Sequence, residues 1–324
     1  MSRWLASRLA LPLLRRRVVR GLLAAAIVLA GAGCGSKQQR SADEYFSDAN
    51  KHFSGGSLEQ AVEEYRQLID EYPFSPNSEE AELRIAHALF LNGKYAEAVV
   101  ALNDFQRRHP TSPHLPFVGF AIGMCYAKQM KTIDRDQTAA QSAEVYFQRV
   151  IQQFPDSPFA ELARSELAKC EEAQAAHELY IGDFYARRGN NRAAEIRWLT
   201  MAARFGDTPA AAKGLLQLAK LYGSEGRPEE AALAYRALME LQPKAPESEA
   251  ARTELAGLNP ELTPPGDPID ALLAANGRVR GAEPLEVVRV PGLESDTSRR
   301  PSAAMGPAIM PGYDPFGRGR GRPY

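Results

Sequence analysis

A chain of 324 residues with 44% apolar and 24% charged residues has the composition of a folded, water-facing protein. Its length leaves room for two average domains or one long repeat array. The formal charge of −1 hides an uneven distribution: six arginines and no acid in the first 33 residues, eight charges of each sign from Gly257 onward, and 25 basic against 32 acidic residues between. A mildly acidic body lacks the clustered Lys and Arg that duplex nucleic acid requires, which argues against nucleic acid as a partner.

The chain opens with a basic head, then 16 uncharged residues between Arg20 and Lys37 that end in small side chains, "LLAAAIVLAGAGCGSK". The stretch is short for a membrane span and has the layout of a cleaved leader. Its end, "GAGC", resembles a bacterial lipobox, with Ala32 and Gly33 fitting the pattern and Gly31 standing where Leu is usual. The resemblance implies cleavage before Cys34 and acylation of that cysteine, with residues 1–33 as signal peptide and 34–42 as a lipidated tether. Several acyl chains at about 0.8 kcal/mol per buried CH₂ make a firm anchor to the membrane. Gly35 stands where an aspartate would signal inner-membrane retention, so the resemblance implies sorting to the periplasmic face of an outer membrane.

A helical-hairpin pattern then recurs five times over residues 43–256. It reads Gly, Ala five residues later, a large side chain four beyond, and Pro eight further on. The first two copies are Gly56, Ala61, Tyr65, Pro73 and Gly93, Ala98, Leu102, Pro110. The third has Thr138 in place of Gly, then Ala143, Phe147 and Pro155; the fourth has Gly189, Ala194, Trp198 and Gly206 in place of Pro. The fifth is Gly226, Ala231, Tyr235, Pro243. Gly ends the first helix, Ala lets two helices approach, the large side chain fills the gap between hairpins, and Pro stops the second helix. These are tetratricopeptide-like repeats, and they predict an all-α, right-handed superhelix of five hairpins.

The alanines step by 37, 45, 51 and 37 residues, all longer than the bare unit of about 34. The excess is expected in an insertion, "MKTIDRDQT" at 130–138, and a long helix over about 158–176. Gly206 in place of Pro is expected to loosen the corner after the fourth repeat. From 257 to 324 the chain holds 11 prolines, 10 glycines and no lysine, so this tail is expected to be disordered. Within it "DPIDALLAAN" reads as a short helix and "LEVVRV" as an extended segment.

Enzymatic motifs are lacking. The five histidines show no metal-ligand spacing, and no phosphate-binding loop, nucleophile elbow or dinucleotide fingerprint occurs. The expectation is a non-catalytic scaffold without metal or cofactor. Cys125 and Cys170 lie on helices of different repeats and read either as buried core residues or as a disulfide. Function should lie on the concave face, lined by the first helix of each hairpin, where Phe46, Asn50, Phe53, Leu83, His87 and Phe90 fall. Exposed aromatics there would suit an extended peptide, and packing on the neighbouring hairpin is the other reading of Phe46 and Phe53.

Three stretches carry a more specific resemblance: "DEYPFSPNSEEAELRIA" (70–86), "IDRDQTAAQSAEVYFQRVIQQFPDSPFAELARSEL" (133–167) and "HELYIGDFYARRGNNRAAEIRW" (177–198). Together with the lipobox they resemble the BamD family, lipoproteins of the outer-membrane β-barrel assembly machinery, over residues 41–245. The resemblance implies a scaffold that receives unfolded outer-membrane proteins near its N-terminus and docks a POTRA domain of BamA, among other machinery subunits, through its C-terminal repeats. By the same resemblance Tyr72, Pro73 and Phe74 would shape the substrate pocket, and Arg197 would face BamA in a charge-assisted pair. Asp134, Arg135 and Asp136 are read as fixing the inserted loop. The alternative is a periplasmic repeat protein coordinating cell-envelope or peptidoglycan processes, like the CpoB family, whose repeats also end in "YP" and "FP".

Overall fold

A computed structural model describes residues 39–258 and 266–278. The leader, Cys34, most of the tether, the "LEVVRV" segment and the remaining tail lie outside the described residues. Ten helices form five hairpins: α1 (Ala42–Ser54) with α2 (Leu58–Glu71), α3 (Ser78–Leu91) with α4 (Tyr95–Arg108), and α5 (Leu115–Ala127) with α6 (Thr138–Gln153). The fourth is α7 (Pro158–Arg187) with α8 (Asn191–Phe205), and the fifth α9 (Pro209–Ser224) with α10 (Pro228–Leu241). α11 (Pro246–Ala256) and α12 (Pro268–Ala275) follow. No strand occurs among the described residues, and no described helix is long and apolar enough to cross a membrane. The all-α stack of five hairpins is as expected.

Each position of the repeat does what its chemistry predicts. The five alanines are at most 2% exposed and the five large residues at most 5%. Gly56, Gly93, Gly189 and Gly226 take φ between 73° and 79°, the left-handed turn that joins the two helices of a hairpin. Tyr72, His109, Phe154 and Gln242 each leave their helix at φ between −132° and −123°, bent away from helical geometry by the proline that follows. At two of the rings, Phe147 and Trp198, the facing helix supplies a glycine. A Cβ on Gly123 would lie 2.5 Å from the Phe147 ring, and one on Gly182 would lie 2.3 Å from the Trp198 indole nitrogen.

Two features differ from the sequence expectation. The long helix does not end near residue 176 but runs on to Arg187, because nothing between Pro158 and Gly189 caps or breaks it. Gly182, buried and helical, serves Trp198 instead. The corner at Gly206 is not loosened either. Gly206 keeps helical φ and ψ, the Gln242 amide donates to its carbonyl at 3.0 Å, and a Cβ there would meet Leu241 at 2.9 Å. Glycine at this corner permits close packing of the next hairpin.

The inserted loop is held internally. Thr132 donates to Asp134, the Asp136 carboxylate accepts from the Thr138 N–H at 3.1 Å, and buried Gln137 donates to the carbonyls of Thr132 and Arg135. Cys125 and Cys170 are both free and buried, with Cys170 facing the Met130 sulfur at 3.8 Å. Burial pushes both thiols up to about 12, so the core reading applies and neither is a ready nucleophile.

Between hairpins four and five, Glu195 is 3% exposed and accepts from Arg192 (2.9 Å), Arg227 (3.1 Å) and the Tyr222 hydroxyl (3.0 Å). Burial opposes its charge, but these donors outweigh burial and hold the carboxyl below its ordinary range.

Gly182→Ala is expected to force the Trp198 ring off its seat and cost about 1–3 kcal/mol in urea unfolding. Gly223→Ala, also helical but with nothing within 4 Å of the added carbon, should be neutral or stabilising by up to about 1 kcal/mol. Equal effects would contradict the packing described.

Candidate functional site

The end of the tether is bolted to the first hairpin. Arg40 pairs with Asp48 on α1 at 2.7 Å and Glu64 on α2 at 2.9 Å, and its guanidinium lies 4.1 Å from the centre of the Tyr45 ring. The Tyr72 hydroxyl donates to the Arg40 carbonyl at 2.6 Å, tying the first inter-repeat corner to the same point. Tyr72 is therefore half-buried in a structural contact, while Pro73 is exposed and Phe74 is 98% exposed. A bare phenyl at a corner held this firmly has no packing role among the described residues.

Beside this corner an open groove runs along α1, lined by Asp43, Phe46, Ser47, Asn50, Lys51 and Ser54, with Asn77 from the corner closing one side. Asn77 donates to Asp43 at 2.8 Å across it. The other expected groove residues are placed differently. Leu83 is 1% exposed and His87 8%, so neither lines an open surface. α3 lies between two hairpins and buries three sides, which one periodic stripe in its sequence does not reveal. Phe53 packs on the His87 ring at 5.1 Å, Phe46 on Tyr65 at 5.9 Å and Phe90 edge-on to Tyr95 at 5.4 Å. Of the aromatic set, only Phe46 and Phe74 face the N-terminal groove and corner; Phe53 and Phe90 are half-buried packing residues, and His87 is a core residue.

Arg197 lies on α8, half-exposed, and its guanidinium pairs with Glu178 on α7 at 3.0 Å. The carboxylate expected opposite this arginine is thus already supplied within the same hairpin. About two turns further along α8, Arg204 pairs with Glu144 of α6 at 3.3 Å. The sequence did not single out Arg40, Asn77 or Glu178; their roles depend on contacts between helices that spacing alone does not display.

Among the described residues no group of His, Cys, Asp and Glu could hold a metal ion. Stacked helical hairpins of this kind define a tetratricopeptide-type repeat protein. A family model described as YfiO, outer membrane lipoprotein, matches residues 38–238, and the chain belongs to that family. Its relatives include proteins named outer membrane protein assembly factor BamD. That of Caulobacter vibrioides is 27% identical over 218 residues, 64% of this chain and 72% of that one. That of Pasteurella multocida is 28% identical over 210 residues, covering 62% and 81%. A solved structure of the TPR2AB domain of yeast Sti1 overlaps at a TM-score of 0.37 with 16% identity, over 67% of this chain and 84% of that one. The resemblance read from residues 70–86, 133–167 and 177–198 is borne out by the family match.

Phe74→Ala is expected to shift unfolding free energy by less than about 0.5 kcal/mol, whereas Leu83→Ala should cost about 2–5 kcal/mol. A Phe74 variant as unstable as the Leu83 variant would show that the corner ring is packed in solution.

Proposed function

We propose that this chain is a non-catalytic, lipid-anchored scaffold of outer-membrane β-barrel assembly, which receives unfolded barrel proteins at its N-terminal corner and docks a BamA-type POTRA domain through its fourth hairpin. The observation that carries the reading is the family match across all five hairpins, joined by relatives whose names state assembly of outer-membrane proteins. The tether geometry supports it. Arg40 is fixed to the first hairpin, and Cys34 stands six residues earlier in the sequence. A stretch of that length spans at most about 20 Å. Acylation of Cys34 would therefore hold the Phe74 corner and the α1 groove close to the membrane surface, where unfolded barrel segments must be delivered. An aromatic side chain on such a segment would stack on Phe74, while Asn50, Ser47 and Lys51 offer polar partners to its backbone and to a terminal carboxylate.

For Arg197 the internal pair with Glu178 sharpens the role. A partner carboxylate would share or displace Glu178, leaving a charge-assisted contact that is half-exposed before docking. Substitution of one partner alone confounds the two contacts, and a charge swap separates them. Arg197→Glu should weaken binding of the purified POTRA region by about tenfold or more, the loss expected when one charged pair is removed. The double variant Glu178→Arg/Arg197→Glu restores the internal pair and should remain weak. Restored binding in the double variant would make Arg197 purely structural, and binding of peptidoglycan-processing proteins in place of the POTRA region would favour the CpoB-like alternative.

A further inference from the structure

Residues 266–278 lie beyond the region matched by the family model, which ends at residue 238. The short helix read in "DPIDALLAAN" forms, and it is not solitary. Asp267 caps α12, accepting from the N–H groups of Ile269 (2.8 Å) and Asp270 (3.2 Å), and Pro268 takes the first helical position. Ile269, Leu272 and Leu273, one face at i, i+3, i+4 spacing, are 2%, 0% and 4% exposed. α11 packs on α9 and α10 in the place where a sixth hairpin would begin. α12 does not complete that hairpin. It turns back across the second helices of the two preceding hairpins, α10 and α8.

Polar contacts tie both ends down. At its start, Arg236 of α10 donates to the Gly266 carbonyl. At its end, Asn276 accepts from Arg192 of α8 at 2.7 Å and donates to the Tyr222 hydroxyl of α9 at 3.2 Å. Arg192 and Tyr222 both donate to Glu195, so Asn276 closes a ring of hydrogen bonds around that buried carboxylate. Arg278 then reaches the Thr200 hydroxyl on α8 at 3.3 Å, three residues from Arg197.

Hairpins in a solenoid touch only their neighbours, so the angle between two of them is set by one interface and bends easily. An element that grips two successive hairpins on one face removes that freedom. We propose that residues 266–278 are a clamp in cis, which locks the fourth and fifth hairpins at a fixed angle and so holds the α8 docking face in its binding geometry. The part of this inference that concerns docking rests on the function proposed above; the locking of the hairpins does not.

Two variants of the full-length chain test it. Leu272→Asp/Leu273→Asp removes the apolar seat, and Asn276→Ala opens the hydrogen-bond ring while leaving the seat intact. By hydrogen–deuterium exchange, amides of α8–α10 should exchange about tenfold faster or more in the first variant and by a smaller factor in the second, with α1–α4 unchanged. If the double variant does not fold, Asn276→Ala carries the test. Native protection of α8–α10 in the folded variants would overturn the clamp. Affinity for the purified POTRA region should also fall in the clamp variants although Arg197 is intact, and unchanged affinity alongside loosened hairpins would overturn the link to docking. A native chain that fails to bind that region at all would instead refute the proposed function, while the exchange result still decides the clamp.

Discussion

How closely the two helices of a hairpin approach governs the rest of this chain. At Ala61, Ala98, Ala143, Ala194 and Ala231 the side chain is a single methyl, nearly or wholly excluded from water. A larger residue at any of these points would push the helices apart and leave Tyr65, Leu102, Phe147, Trp198 or Tyr235 without a closed seat. Each such side chain contributes on the order of 1.5–3 kcal/mol when fully buried. Phe147 and Trp198, facing α5 and α7, need more room still, and Gly123 and Gly182 provide it. Small-against-large packing recurs from hairpin to hairpin, so the stack is continuous and its two ends can take different tasks.

The ends are built differently. At the N-terminus, Arg40 and Tyr72 fix tether, first hairpin and first corner to one another, and leave Phe74 bare in the water. At the C-terminus charge is buried instead. Glu195 sits among Arg192, Arg227, Tyr222 and Asn276, a fully satisfied polar network of the kind that favours one geometry over its neighbours. On the function proposed above, the ring-bearing corner would capture a flexible chain and the charged α8 face a folded partner, and one solenoid carrying both would keep them at a defined separation.

Much of this was legible in the sequence because it is local. The Gly, Ala, aromatic and Pro spacing identifies hairpins, since each residue type answers to a backbone or packing demand within one repeat. The helix at 268–275 was legible for the same reason: an aspartate cap, a proline and three apolar residues on one face. Its seat was not, because the seat is made by α8 and α10, whose outward residues carry no mark of the element that covers them. His87 misled in a similar way. Its position on a first helix pointed to the groove, but α3 is enclosed by neighbours on several sides. The internal partner of Arg197 is not legible in the sequence, because Glu178 lies nineteen positions away on another helix. The continuous run of α7 shows the converse, where lack of any breaker between Pro158 and Gly189 decided the outcome more strongly than the repeat period.

On the function proposed above, this solenoid serves the folding and insertion of outer-membrane β-barrels. Depleting the chain from its own cells and measuring folded barrel proteins in the outer membrane by heat-modifiable gel mobility decides the matter. Folded barrels should fall while unfolded forms accumulate in the periplasm, and re-expression of the intact chain should restore them. Unchanged barrel levels accompanied by a defect in envelope constriction would contradict it.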